Sequence, residues 1–273
     1  MIKTYIRASW AALVIVLALR SCLAAGSHAA KLEGKAEDGA SGLARRSLAA
    51  PLAPQDDTLY DCQLLGVTGL LFNITVPTTG FSLRNVTFRN CAAGALALSA
   101  PDSSPASASL TSLTFLANSN NATTSYGGAL TLSGPLSATL VDCTFAANSA
   151  AIGSAVYSTA GAATGEGGLT LQRCTFAGNR GQGAVAVLGG VLLAVRDSVF
   201  ANNSGGSAVY LSRTRDQGAA TVLYNVTFDG NVADGTGLSA DPASQLGNSG
   251  GALYAVGALA ALNVTSCSFT RNR

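Results

Sequence analysis

The sequence predicts an all-β fold, a right-handed single-stranded parallel β-helix of about seven coils. Two short motifs recur in phase along the chain, the first motif alternates inward and outward residues, and no segment shows helical periodicity. The composition also favours tight repeats of small side chains, because 31 of the 273 residues are glycine and only 11% are charged. In such a solenoid each coil stacks on the previous one, and equivalent residues form in-register columns.

The first motif is centred on phenylalanine and has the period of a β-strand. The residue before it is threonine in five of seven repeats, which predicts phenylalanine inside and threonine outside. The seven positions are Phe88, Phe115, Phe145, Phe176, Phe200, Phe228 and Phe269. In six repeats an asparagine follows three residues later, at Asn118, Asn148, Asn179, Asn203, Asn231 and Asn272. We expect these asparagines to turn a corner and to form a side-chain ladder between coils.

The second motif is a small residue pair followed by Leu or Val. It begins at Gly94, Gly128, Ser154, Gly183, Ser207 and Gly251, and each of these residues is followed by alanine. We expect the pair at the next corner, where a larger side chain would crowd the neighbouring coil.

Three segments make up the predicted domain organisation. Residues 1–25 carry a basic start, an apolar run and small residues, as in a secretory signal peptide, with an uncleaved anchor as the alternative. Residues 26–57 predict a flexible linker or pro-segment, and residues 58–273 form the repeat domain. No later apolar run is long enough for a membrane span in the mature chain. No polar capping coil follows Asn272, so we expect a repeat domain truncated at its C-terminus.

Six Asn-x-Ser/Thr sequons predict a glycoprotein of a eukaryotic secretory pathway. They begin at Asn73, Asn85, Asn121, Asn202, Asn225 and Asn263. The alternative is that asparagine and threonine are simply frequent in these repeats. With the signal peptide, the sequons predict a secreted, extracellular or cell-surface protein.

The paired motifs resemble the repeats of the polymorphic outer membrane proteins, which are autotransporter adhesins of obligate intracellular bacteria. The best matches pair Gly127-Gly128-Ala129-Leu130 with Phe145-Ala-Ala-Asn148, and Gly250-Gly251-Ala252-Leu253 with Phe269-Thr-Arg-Asn272. The resemblance covers about residues 62 to 273 and implies a β-helix with an adhesive role. The Ala/Gly/Ser bias and the sequons look more like a eukaryotic relative.

Five cysteines remain after the signal peptide. Cys62 and Cys91 could form a disulfide that closes the first coil. Cys143 and Cys174 take the same inward position in adjacent coils, and we expect them to be small buried core residues. No Cys-x-x-Cys or Cys/His grouping is present, so no metal site and no cofactor is expected.

Little in the sequence predicts catalysis. The single histidine, His28, falls in the predicted linker, and no paired carboxylates occur after residue 58. Asp142, Arg173 and Asp197 share one outward register in successive coils, which places the carboxylates about 10 Å apart. That separation approaches an inverting glycosidase, but the arginine between them would keep both ionised. We therefore expect an exposed charge ladder and no catalytic residue.

These observations predict a secreted non-catalytic surface or cell-wall protein with an adhesive, structural or carbohydrate-binding role. Extracellular polysaccharide or a cell-surface protein is the expected partner, and a net charge of +2 is too small to indicate nucleic acid. The loops 229–249 and 118–125 are either binding insertions or tolerated ones. The alternative function is a polysaccharide lyase or glycoside hydrolase of the pectate-lyase-like β-helix type.

Overall fold

The computed structural model describes residues 47–48, 62–65, 72–76, 78, 80–120, 125–160, 167–213, 221–235, 250–257 and 261–273. The described residues form 27 short strands and no helix. Paired strands are parallel, and each sheet takes its strands from successive coils. The predicted all-β solenoid is therefore confirmed. The predicted signal peptide, 1–25, lies outside the described residues.

Four sheets run side by side along the coils. The first sheet contains, in chain order, β1 (Ser47–Leu48), β3 (Phe72–Thr75), β6 (Leu96–Ser99), β10 (Leu130–Ser133), β14 (Val156–Thr159), β18 (Val185–Leu188), β22 (Val209–Arg213) and β25 (Leu253–Gly257). The second sheet contains β4 (Phe81–Arg84), β7 (Ala106–Thr111), β11 (Leu136–Val141), β15 (Gly168–Gln172), β19 (Leu192–Arg196), β23 (Thr221–Tyr224) and β26 (Leu262–Thr265).

The third sheet carries the phenylalanine motif, and the fourth follows it. The third sheet contains β2 (Cys62–Leu65), β5 (Val86–Arg89), β8 (Thr114–Leu116), β12 (Thr144–Ala146), β16 (Thr175–Ala177), β20 (Val199–Ala201), β24 (Thr227–Asp229) and β27 (Ser268–Thr270). The fourth contains β9 (Ser119–Asn120), β13 (Ser149–Ile152), β17 (Arg180–Gln182) and β21 (Ser204–Gly205). The core lies between the sheets, where apolar residues alternate with outward polar ones.

The seven phenylalanines form one continuous stack inside the third sheet. Neighbouring ring centroids are 4.6 to 5.0 Å apart and the ring planes lie within 12° of parallel. The rings from Phe115 to Phe228 are fully buried, whereas Phe269 in the last coil is 48% exposed. Leu64 in β2 aligns with Phe88, which adds a strand before the seven predicted coils.

The asparagines form an interior ladder next to this stack. The Asn148 side-chain amide donates to Asn179 Oδ1 at 2.9 Å and to the carbonyl of Phe115 at 3.0 Å. The Asn148 backbone N–H donates to the same Asn179 oxygen at 3.0 Å. The same pattern links every pair from Asn118 to Asn272. Each coil is thereby hydrogen-bonded to the next through a buried amide.

The predicted corner role of these asparagines is wrong by one residue. The left-handed backbone falls on the preceding position, which is occupied by Asn90, Ala117, Ala147, Gly178, Asn202, Gly230 and Arg271. The physical reason is that the asparagine must direct its side chain inward to reach both adjacent coils. In the first repeat Asn90 makes this corner, and the backbone N–H of Cys91 donates to Asn118 Oδ1 at 3.1 Å.

The small residues of the second motif lie where neighbouring coils approach most closely. A Cβ on Gly128 would lie 2.3 Å from the carbonyl oxygen of Ser154 and 2.5 Å from that of Ser149. No side chain fits at those distances, so glycine is required there.

Two N-terminal predictions differ from the structure. Ser47–Leu48 pair with Asn73 and Ile74 at the edge of the first sheet, so these two residues of the predicted linker form a strand. Cys91 is a free, buried thiol, and the predicted Cys62–Cys91 disulfide is absent. The reason is register, because Cys62 aligns with Val86 at the start of β5 whereas Cys91 follows the corner after it.

Candidate functional site

The charged residues selected from the sequence lie at the corner between the second and third sheets. Asp142, Arg173 and Asp197 are exposed there, with φ of 56°, 50° and 51°. The prediction of one outward register in successive coils holds, but they occupy a left-handed corner and not a strand. The same corner is made by Asn85, Ser112, Asn225 and Ser266 in the other coils.

Both carboxylates of this corner accept side-chain hydrogen bonds. Arg173 Nε donates to Asp142 Oδ1 at 2.7 Å, and its Nη2 donates to Asp142 Oδ2 at 3.0 Å. This bidentate pair lowers the pKa of Asp142 and raises that of Arg173. Asp197 instead accepts a hydrogen bond from Asn225 Nδ2 at 2.7 Å. An ionised Asp142 can neutralise a cation but holds no proton to donate at neutral pH.

A second charged corner, not anticipated from the sequence, joins the last two coils. Arg271 binds the Asp229 carboxylate through Nε at 2.9 Å and through Nη2, and Thr270 Oγ1 donates to the same carboxylate at 2.7 Å. These bonds lower the pKa of Asp229 to about 2. Asp229 and Arg271 are far apart in the sequence because 41 residues separate Phe228 from Phe269, although the two repeats are consecutive and their coils adjacent.

The outer face of the first sheet carries a group of tyrosines that sequence reasoning missed. One outward column contains Thr131, Tyr157, Ala186, Tyr210 and Tyr254 in successive coils. Tyr126 joins it by packing its ring against Tyr157, with centroids 4.7 Å apart. The rings of Tyr210 and Tyr254 are stacked at 5.7 Å. We call Tyr126, Tyr157, Tyr210 and Tyr254 the tyrosine face.

Polar hydroxyls without charge accompany the tyrosine face. The next outward column of the sheet contains Ser99, Ser133, Thr159, Leu188, Ser212 and Val256. Thr159 and Ser212 lie two residues after Tyr157 and Tyr210 on the same outward face. Burial raises the pKa of Tyr157 and of Tyr210, so both phenols stay neutral at physiological pH.

A sequence signal for this face does exist. Tyrosine directly follows the second motif in three repeats, at Ser154-Ala155-Val156-Tyr157, Ser207-Ala208-Val209-Tyr210 and Gly251-Ala252-Leu253-Tyr254. The other three repeats place alanine or threonine there, so the position has no consensus.

The predicted sequons lie mostly away from the tyrosine face. Asn85 and Asn225 occupy the corner before the third sheet, Asn202 the corner after it, and Asn263 the last strand of the second sheet. Asn73 lies in the outward column of the first sheet, three coils before Tyr157. Asn121 lies outside the described residues.

Cys91, Cys143 and Cys174 are buried core residues, and Cys267 is partly buried. Cys143 and Cys174 are free and buried, and each thiol donates to backbone carbonyls. The neighbouring Cys174 thiol and burial raise the pKa of Cys143. Burial likewise raises the pKa of Cys91 to about 11. The described residues contain no group of three His, Cys, Asp or Glu side chains that could hold a metal ion.

No described helix is long and apolar enough to cross a membrane.

The stacked parallel sheets, the phenylalanine stack and the buried asparagine ladder define a β-helical solenoid. The family model of the right-handed β-helix region matches residues 74–269, and the chain therefore belongs to the right-handed β-helix family. No curated protein and no solved structure matches the chain.

Proposed function

We propose that this protein is a secreted, non-catalytic surface or cell-wall β-helix that binds extracellular polysaccharide or a cell-surface partner, with repeats of the polymorphic outer membrane protein type. The observation that carries the proposal is the outer surface, on which hydroxyl side chains repeat at the coil spacing. In the third sheet the outward column begins with Thr87, Thr114, Thr144 and Thr175. The second sheet adds the column Ser82, Ser109, Thr139 and Thr170.

A regular face of this kind suits adhesion for a physical reason. The hydroxyls are held on paired strands about 4.8 Å apart, so little conformational freedom is lost when a partner binds. A polymer with its own repeat can meet several equivalent hydroxyls at once, and weak contacts then add along its length. Adhesive and structural roles both follow from the same surface.

The charged corner supports this role over the enzymatic alternative. Hydrolysis of a glycosidic bond needs a protonated carboxylic acid beside the leaving oxygen. Asp142 is bound in a bidentate pair with Arg173, and that pair lowers its pKa. A carboxylate in that state is a poor proton donor.

An array of plant, algal and bacterial polysaccharides tests the proposal. The full chain is incubated with each polysaccharide, and both retained protein and released oligosaccharide are measured. We expect retention on at least one polysaccharide without release. Release that is abolished by Asp142→Asn would instead establish the lyase or hydrolase alternative. Asp234→Asn, which changes an exposed acid away from the corner, is the matched control.

A further inference from the structure

Tyrosine is distributed very unevenly over the outer surface. Five tyrosines lie in the described residues, and four of them form the tyrosine face. The fifth, Tyr224, ends β23 in the second sheet. Nothing in the fold requires this grouping, because Thr131 and Ala186 occupy the same column in other coils.

The exposed part of the face combines ring carbon with hydroxyl groups. Tyr126 is 45% exposed and Tyr157 and Tyr254 are partly exposed, whereas Tyr210 and the intervening Ala186 are buried. Tyrosine supplies a large rigid apolar surface and a polar tip at low entropic cost, and it is enriched at binding sites for that reason. The rings border the hydroxyls of Ser133, Thr159 and Ser212.

The two outward columns of this sheet contain no charged residue within the described strands. Asp142, Arg173 and Asp197 lie instead at the corner between the second and third sheets, and Arg213, which ends β22, lies one position beyond the second column. A ligand with carboxylate or sulfate groups would gain no ion pair on the tyrosine face, and its charges would lose hydration. The chemistry of this face therefore matches an uncharged partner.

The column that contains the tyrosines runs in a line along the coils. Successive positions of the column are one coil apart, about 4.8 Å by the strand spacing. One pyranose residue of an extended glycan is about as long as one coil is tall. A sugar chain lying along the column would meet a tyrosine or a hydroxyl in nearly every coil. Pyranoses also alternate C–H surfaces with hydroxyls, as the face itself does.

From these observations we infer that the tyrosine face binds an extended, neutral polysaccharide that runs parallel to the axis of the coils. This inference rests on the proposed function, to which it adds a site and a ligand class. Hot spots of protein interfaces are enriched in Trp, Tyr and Arg and cluster near the centre of the interface, whereas these tyrosines are spread along the coils. The potential glycan sites Asn85, Asn202 and Asn225 lie at other corners, and Asn73 lies in the same column but three coils before Tyr157.

Binding of the full chain to insoluble neutral and acidic polysaccharides tests the inference. The neutral set is xylan, mannan, galactan and cellulose, and the acidic set is polygalacturonate, alginate and a sulfated galactan. The test variant is Tyr126→Ala/Tyr254→Ala, and the matched control is Tyr224→Ala, which removes an exposed tyrosine from another sheet. Tyr157→Phe is a second variant that removes one hydroxyl and keeps the ring, in case the double variant misfolds.

We expect a neutral polysaccharide to be retained with little dependence on salt. The double variant should bind about tenfold or more weakly, the range found when interface aromatics are truncated, and Tyr157→Phe should weaken binding. Tyr224→Ala should bind like the wild type.

Four results would overturn the inference. Equal binding by the double variant and the control would exclude the tyrosine face and leave the proposed function standing. Retention on acidic polysaccharides only would exclude a neutral ligand. If no polysaccharide is retained but a surface protein binds through Tyr126 and Tyr254, the face belongs to a protein partner. Failure to bind any glycan or surface would reject the proposed function as well.

Discussion

Two aromatic columns run along this molecule, one inside and one outside. The interior phenylalanines stack without interruption through seven coils at 4.6 to 5.0 Å. The exterior tyrosines form two pairs, a tilted pair with centroids 4.7 Å apart and a stacked pair 5.7 Å apart, and Ala186 separates the two pairs. A position that every coil needs for stability is filled in every coil. The tyrosine position is occupied by Thr131 and Ala186 in other coils, so the fold does not require an aromatic ring there.

The largest expected difference between the columns is in stability. Phe145→Ala removes a fully buried ring between two others and should lower the free energy of unfolding by about 3–5 kcal/mol. Tyr157→Ala removes a partly exposed ring and should cost about 1–2 kcal/mol. Urea denaturation of both variants measures the difference. Equal losses would mean that the exterior column also stabilises the fold.

The asparagine ladder should be the next most sensitive feature. Asn179→Ala leaves the backbone and side-chain donors of Asn148 without their acceptor, and the carbonyl of Phe145 without its donor. Since each buried unsatisfied group costs about 1–3 kcal/mol, we expect a loss of about 3 kcal/mol. Asn263→Ala removes an exposed asparagine of β26 that lies outside the ladder and serves as the control, with an expected change within about 0.5 kcal/mol. Similar midpoints for the two variants would contradict a structural role for the ladder.

Alanine substitutions at two glycines should differ in their cost to stability, because Gly128 lies at a contact between coils and Gly178 at a solvent-facing corner. Gly128→Ala would force a Cβ against two backbone carbonyls and should cost about 1–3 kcal/mol. Gly178 has φ of +61°, but a Cβ added there would meet no atom within 4 Å, and Ala117 and Ala147 already occupy the same corner. Gly178→Ala should therefore cost only about 1 kcal/mol, from the left-handed backbone alone, which is less than the loss expected at Gly128. Thermal unfolding compares them, and a loss at Gly178 as large as at Gly128 would be inconsistent with this explanation.

The smallest expected effect is the acid dependence of the exposed corner at Asp229. Its pKa is lowered to about 2 by Arg271 and Thr270, below the ordinary value near 4. The folded state therefore gains stability from this carboxylate above pH 4 and loses it as the pH falls towards 2. Asp229→Asn should reduce the decrease in unfolding temperature between pH 4 and pH 2. An unchanged pH profile would show that solvent screens the pair completely.

The interior columns could be predicted from the sequence because their chemistry repeats in every coil. Phenylalanine and the buried asparagine are nearly invariant among the repeats, so spacing alone identifies them. The corner lies one residue before the predicted position. The asparagine directs its side chain into the core, so the preceding residue takes the left-handed backbone. The residues that make that corner range from Ala147 to Arg271 and share no chemistry to recognise.

The exterior features depend on register, which the sequence does not show. Tyr126 precedes its partner Tyr157 by 31 positions and comes from a different place in its coil. The absence of a Cys62–Cys91 bond likewise follows from the pairing of β2 with β5. The charged corner could be predicted only in part. The shared offset of Asp142 and Arg173 from phenylalanine indicated that they are close, but it did not indicate their bidentate pairing.

Hydrogen–deuterium exchange of the full chain, with and without a retained neutral oligosaccharide, would show whether the ligand binds on the tyrosine face of the first sheet. If it does, we expect slower exchange in β14, β22 and β25 of the first sheet and no change in the phenylalanine strands of the third sheet. Protection confined to the corner of Asp142, Arg173 and Asp197, with shortening of the oligosaccharide during labelling, would contradict it and indicate an enzyme.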